Sequence, residues 1–163
     1  MAETTENLTR ENGNGVQGSP MTDKELHDFV TAYVAACNAP DLPTVLMTHA
    51  PDSIIGSGGD PGKNMTREQL VAYLEERIRA FPDAHMWVYN HQYDGDHGRI
   101  SYEWEVRATF KGPFKGIPPT NKQVQQEGRT ELIIKDGKII RETSHQDMAA
   151  FMKQIIGDRA TAP

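Results

Sequence analysis

The spacing of apolar residues changes character near residue 84. Before it, Leu26, Phe29, Val30, Tyr33 and Val34 recur at helical intervals, and so do Leu70, Tyr73, Leu74, Ile78 and Phe81. Each set makes one apolar stripe on a helix. Thr22-Asp23-Lys24-Glu25 is a capping box that starts the first helix, which ends near Asn38 ahead of Pro40. Thr66 caps the other stripe, and Pro82-Asp83 ends it. Between them Asp41 to His49 predicts a short helix with Asp41 as cap and Pro43 in its first turn. Asp52 to Ile55 then predicts a short strand running into the Gly-rich segment Gly56 to Asn64. That segment has neither a phosphate-loop ending nor dinucleotide spacing, so it reads as a mobile rim over a cavity mouth.

From residue 84 the period is two. His85 to Tyr93 and Arg99 to Phe110 predict strands joined by the turn Gly95-Asp96-His97-Gly98. A two-residue turn at Asp96-His97 sets Tyr93 opposite Ile100, His91 opposite Tyr102, Tyr89 opposite Trp104, Trp87 opposite Val106 and His85 opposite Ala108, all on one face. The other face, with Gln92, Asn90, Met86, Ser101, Glu103 and Arg107, is largely a solvent surface. Gln123 to Lys135 and Lys138 to His145 form a second hairpin about Asp136-Gly137, a type I′ signal. Its register sets Ile134 opposite Ile139 and Leu132 opposite Arg141, so that one face carries Leu132, Ile134, Ile139, Thr143, His145 and, at the strand end, Asp147. Lys111 to Asn121 is too rich in Gly and Pro for an interior strand. Asp147 to Ile156 predicts a closing helix stopped by Gly157. The expected class is α+β, a curved antiparallel sheet packed on three N-terminal helices. The folded domain spans 21–158. Residues 1–20 have no aromatic and few aliphatics to repay the entropy of ordering and are expected to be a disordered tail, and 159–163 are expected to be a flexible C-terminal tail.

Composition narrows the partners. The chain has 163 residues, one cysteine and a formal charge of −6. That is one domain's length, and Cys37 alone forms no internal bridge, which fits a reducing compartment. No apolar run approaches the roughly 20 residues of a membrane span, and Met1 to Pro20 has no leader pattern, so a cytoplasmic location is expected. A pI near 5.5 without a Lys/Arg cluster argues against nucleic acid and anionic membranes and for a hydrophobic small molecule.

Several short motifs follow one another in a familiar order: Asn38-Ala39-Pro40-Asp41, Ala50-Pro51-Asp52, Phe81-Pro82-Asp83, Tyr93-Asp94-Gly95-Asp96, the run Gly112 to Lys122, Asp136-Gly137-Lys138-Ile139-Ile140 and the closing Asp147. From Thr22 to Gly157 the chain resembles the SnoaL-like polyketide cyclases, also called ester cyclases, of the nuclear-transport-factor-2-like superfamily. The resemblance implies a cone-shaped α+β barrel, a homodimer through the sheet, and a cavity between sheet and helices. It further implies cofactor-free intramolecular aldol chemistry with an aspartate near the end of the last strand as acid/base. A gap-free alignment on Asp136 to Ile139 puts Asp147 there.

The candidate chemistry follows. Asp147 is the expected general acid/base, and its other reading is an N-cap. His145, two residues away on the same strand face, is its expected partner. His91, Tyr102, Trp104, Tyr89, Tyr33, Tyr73 and Trp87 are the expected substrate-binding residues, apolar in body and polar at the tip. His-x-Asp lacks a third ligand at recognisable spacing, so neither metal nor other cofactor is expected. The fold also admits a non-catalytic binding module, an epoxide hydrolase or a ketosteroid-type isomerase.

Overall fold

The computed structural model describes residues 16–56 and 64–157. The Gly-rich rim from Ser57 to Lys63, residues 1–15 of the expected tail and the C-terminal tail lie outside the described residues.

The helices form where capping and periodicity place them. They are α1 (Asp23–Asn38), α2 (Leu42–Thr48), α3 (Arg67–Ala80) and α4 (Met148–Ile156). Thr22 Oγ1 accepts the Glu25 N–H at 3.1 Å while the Glu25 carboxylate accepts the Thr22 N–H at 3.3 Å. Thr66 and Gln69 repeat this reciprocal cap at 3.1 and 2.9 Å, and Asp41 caps α2 through the Thr44 N–H.

The strands are β1 (His49–Gly56), β2 (Asn64–Met65), β3 (His85–Asp94), β4 (Arg99–Thr109), β5 (Gln123–Lys135) and β6 (Lys138–Gln146). They form one sheet in the order β2-β1-β6-β5-β4-β3. β1 runs parallel to β6, so the sheet is mixed and not wholly antiparallel as expected. No hairpin turn joins β1 to β6, and direction there is set by packing.

The two hairpins begin in the expected registers and then leave them. Tyr93 pairs with Ile100 and Gln92 with Ser101, but beyond a bulge Tyr89 pairs with Glu103 and Trp87 with Glu105. The extra residue lies around Asn90, whose φ of 52° is left-handed. In the second hairpin Ile134 faces Ile139, but Leu132 faces Glu142. Because side chains alternate, a one-residue slip exchanges faces for everything beyond it. Met86 and Val88 therefore pack on the core, while Trp87 and Tyr89 stand 48% and 40% exposed on the outer face.

Two apolar clusters close the inner face. Leu26, Val30 and Val34 of α1 pack against Ile100, Leu132, Ile134 and Ile139. At the other end Phe81, Phe110, Phe114, Phe151 and Ile155 form a mostly aromatic cluster. Phe114 comes from the Gly/Pro-rich loop and is fully buried, a gain of about 1.5–3 kcal/mol that anchors a segment without regular structure.

The expected tail is shorter than 20 residues. The Gly18 N–H bonds to the His97 carbonyl, the Ser19 N–H to the Ile134 carbonyl and the Met21 N–H to the Gly95 carbonyl, each at 2.8–2.9 Å. These bonds need no apolar side chain, which is why composition does not announce them. A Cβ on Gly18 would lie 2.1 Å from the Ile134 carbonyl oxygen. Gly18→Ala is therefore expected to cost about 1–3 kcal/mol by overpacking. Thermal melts check this, with deletion of residues 1–15 as a control that leaves the melting temperature unchanged.

Candidate active site

A cavity of about 210 Å³ lies between the inner face of the sheet and helices α1 and α3. Tyr102, Trp104 and Val106 of β4, Gln126 and Thr130 of β5, and Glu142, Ser144 and Gln146 of β6 form its floor. Tyr33 and Cys37 enter from α1, and Tyr73 and Arg77 from α3.

The bulge in β6 turns Glu142 inward, where it is only 9% exposed. Its Oε2 lies 2.7 Å from Nε2 of His49, which is fully buried. The other ring nitrogen, Nδ1, is 2.9 Å from the Val45 carbonyl. A carbonyl only accepts, so Nδ1 carries a hydrogen. Nε2 and the carboxylate then share one proton, held as imidazolium with carboxylate or as imidazole with carboxylic acid. The Tyr33 hydroxyl donates to Glu142 at 3.2 Å from both carboxyl oxygens.

The surroundings bias each group. Burial opposes a charge on His49, but the hydrogen bond and the negative charge of Glu142 outweigh it and raise its pKa above the ordinary imidazole value. Burial, and next the Glu142 charge, hold the Tyr33 hydroxyl well above the usual phenol range, so it serves as a donor. Burial pushes the Cys37 thiol up to about 12, which removes it as a nucleophile. The remaining floor is tied by neutral bonds: Trp104 Nε1–H donates to Thr130 Oγ1 at 2.9 Å, and Thr130 Oγ1 lies 2.9 Å from Ser144 Oγ. A Cβ at Gly128 would meet the Trp104 ring at 2.3 Å, so the missing side chain makes room for the indole to lie across β5.

At the aromatic end Arg77 donates to the Tyr73 hydroxyl at 2.9 Å and to Gln126 Oε1 at 3.0 Å. Chemically the site offers a carboxylate able to take and return a proton, an imidazole that shares it, and phenol and guanidinium donors around an apolar volume.

Four expected substrate-binding residues, Tyr33, Tyr73, Tyr102 and Trp104, are brought together on this cavity. Others are not. His91 lies beyond the cavity lining, its ring 4.9 Å from His27 and 6.2 Å from Tyr102, and burial, then His27, lowers its pKa. Trp87 and Tyr89 are on the outer face, turned there by the bulge at Asn90. Beyond the second bulge the expected catalytic pair lies off the cavity lining. His145 is exposed opposite Arg129, on the face away from its cavity-lining neighbours Ser144 and Gln146. Asp147 is also exposed, and its Oδ1 accepts the Ala150 N–H at 2.9 Å as the N-cap of α4. His49 and Glu142 were not among the expected site residues. The adjacent apolar pair Ile139-Ile140 breaks the period of two and was the available sign of a bulge ahead of Glu142.

Comparison with known proteins agrees with this architecture. The sequence profile of the SnoaL-like polyketide cyclases matches residues 27–155, most of the chain. The chain belongs to the SnoaL-like polyketide cyclase family. Among solved structures it is similar to AclR, a proposed hydroxylase from Streptomyces galilaeus, at 24% identity and TM-score 0.75 over 87% of this chain and 85% of that one. IdmH, a proposed polyketide cyclase from Streptomyces antibioticus, matches at 23% identity and TM-score 0.69 over 80% and 97% of the two chains. TsrD from Streptomyces laurentii matches at 14% identity and TM-score 0.70 over 84% and 98%. No curated protein matches. At these identities the structural likenesses speak for the fold, a SnoaL-like sheet and helices around a cavity, and the chemistry rests on this chain's own residues.

In this SnoaL-like protein the aspartate expected as acid/base is a helix cap. Asp147→Asn is thus expected to leave both stability and turnover at the wild-type level, since Asn caps as well as Asp, while Asp147→Ala costs about 0.5–2 kcal/mol in a denaturant melt.

Proposed function

We propose that this SnoaL-like protein closes a ring in a hydrophobic, polyketide-like carbonyl compound by cofactor-free acid–base chemistry, with Glu142 as the group that moves the proton. The observation that carries this reading is the buried contact between Glu142, which lines the cavity, and His49 behind it, at 2.7 Å. In the imidazolium–carboxylate form Glu142 takes a proton from the carbon alpha to a ketone. The C–H electron pair becomes the enolate. That carbon attacks a second carbonyl of the same molecule, forming the new C–C bond, and the resulting alkoxide takes the proton back from Glu142. No proton or electron is gained or lost overall. His49 tunes the carboxyl through the shared proton, and Tyr33 holds its orientation. The walls around this carboxyl are mostly apolar.

The test needs only the first half of this sequence. Deuterium wash-in at the alpha carbon of an aryl 1,3-diketone in D2O, followed by NMR, should be accelerated by the wild-type protein and not by Glu142→Gln. Equal rates with both proteins would reject the assignment.

A homodimer through the outer sheet face belongs to the same reading, supported by the exposed Trp87 and Tyr89 and by Arg107 stacked on Trp87 at 5.7 Å. Light scattering should give about twice the chain mass of 18.2 kDa, and a monomer mass at micromolar concentration would reject it.

A further inference from the structure

Among the described residues Arg77 has no counter-charge. Among the described residues that line the cavity, Arg77 and Glu142 are the only ones of the Asp, Glu, Lys and Arg types. Glu142 has His49 Nε2 at 2.7 Å as its partner. Among the described residues Arg77 makes no ion pair. Its guanidinium donates to neutral oxygens of Tyr73 and Gln126. The guanidinium carbon lies 5.4–5.8 Å from the ring centres of Tyr73, Phe81, Phe114 and Phe151. Rings and neutral acceptors hold the plane in place, yet they use two of its five N–H donors and cancel none of its charge. A guanidinium held this way in an apolar cavity is matched by a planar anion that accepts two parallel N–H bonds.

The two polar ends are well separated. Glu142 stands beside Leu132 on β5, and Gln126 lies six residues along the same strand, about 20 Å at roughly 3.3 Å per residue before the side chains reach inward. The floor between them carries Trp104, Thr130 and Ser144.

We propose that Arg77 is a specificity-determining residue that binds a carboxylate of the substrate, so that the compound turned over is an elongated aromatic or polyketide acid with its carboxylate at the Phe81–Phe151 end and its reacting ketone at Glu142. The placement of the ketone rests on the function proposed above, whereas the carboxylate site does not. The pairing fixes which way round the molecule lies and which alpha carbon meets the base. A neutral ester or amide of the same skeleton fits the walls but leaves the guanidinium unpaired.

Binding separates the two ideas. The probes are 2-naphthoate and 2-naphthamide, equal in shape and unlike in charge, titrated into the full-length protein at pH 7 and followed by calorimetry and tryptophan fluorescence. The wild type is expected to bind naphthoate at least about tenfold more tightly than the amide. Arg77→Gln should remove that preference while leaving amide affinity unchanged. Arg77→Met, which keeps the apolar stem against the rings, guards against misfolding of the Gln variant and should give the same result, with folding checked by circular dichroism. Glu142→Gln should retain the preference even though it abolishes deuterium wash-in, so loss of catalysis and loss of the carboxylate site are told apart. Equal affinity of the two probes for the wild type, absence of binding by either, or a preference that persists in both folded Arg77 variants would overturn the proposal.

Discussion

The Glu142→Gln variant is expected to lose alpha-proton exchange by roughly two to four orders of magnitude while melting within a few degrees of the wild type. The amide is isosteric with the carboxyl. It can donate to His49 Nε2 at the position now 2.7 Å away and still accept from Tyr33, so the buried polar network stays satisfied. Only the titrating group is gone. In the wild type the rate should be bell-shaped in pH, because the shared-proton state disappears when a second proton is added at low pH and when the single proton is lost at high pH. The two limbs report apparent values of the pair and not of either residue. An active Glu142→Gln variant, or a wild-type rate flat across both limbs, would sink the assignment.

His49→Leu is expected to be the most destabilising single substitution, by about 3–5 kcal/mol near neutral pH, because it strands a buried carboxylate with Tyr33 as its remaining donor. The pH dependence carries the diagnosis. A stranded carboxyl escapes the penalty by protonating, so the variant's own stability should fall as pH rises. The double variant His49→Leu/Glu142→Leu should recover much of it, since an apolar pair has no charge to desolvate. In the wild type the imidazole carries a pH dependence of its own. Its folded pKa is raised above 6.5, so its contribution is complete below that value and fades as pH rises through the folded pKa. Denaturant melts of the three proteins at pH 5, 7 and 8 check all of this, and a single variant as stable as the wild type at pH 7 would show that the pair is not a buried ion pair.

The local signals were legible wherever the physics is local. Thr22 with Glu25 and Thr66 with Gln69 read as capping boxes because cap and partner sit three residues apart. The 3.6-residue stripes in α1 and α3, the Asp136-Gly137 turn, and the inward set Ile100, Tyr102 and Trp104 on β4 also needed no tertiary knowledge. From these the helix-on-sheet class followed, and with the ordered motifs so did the family.

Register and charge pairing were decided elsewhere. Each hairpin keeps the register its turn dictates for a few residues, until one extra residue at Asn90 or beside Ile140 reverses the faces. Such a bulge costs the chain little in local terms, and it is selected because Met86 and Val88 pack inward better than Trp87 and Tyr89. That choice is made by α1 and α3 lying over the sheet. The same slip removes His145 from the cavity and brings in Glu142, leaving Asp147 outside as a cap. His49 meets Glu142 across 93 residues of chain because β1 pairs with β6 in parallel, a contact that no turn or spacing encodes. Periodicity within a segment can therefore settle what each element is. Which residues meet in the buried Glu142–His49 contact is set by long-range packing, which alone decides which face of each strand pays the cost of burial.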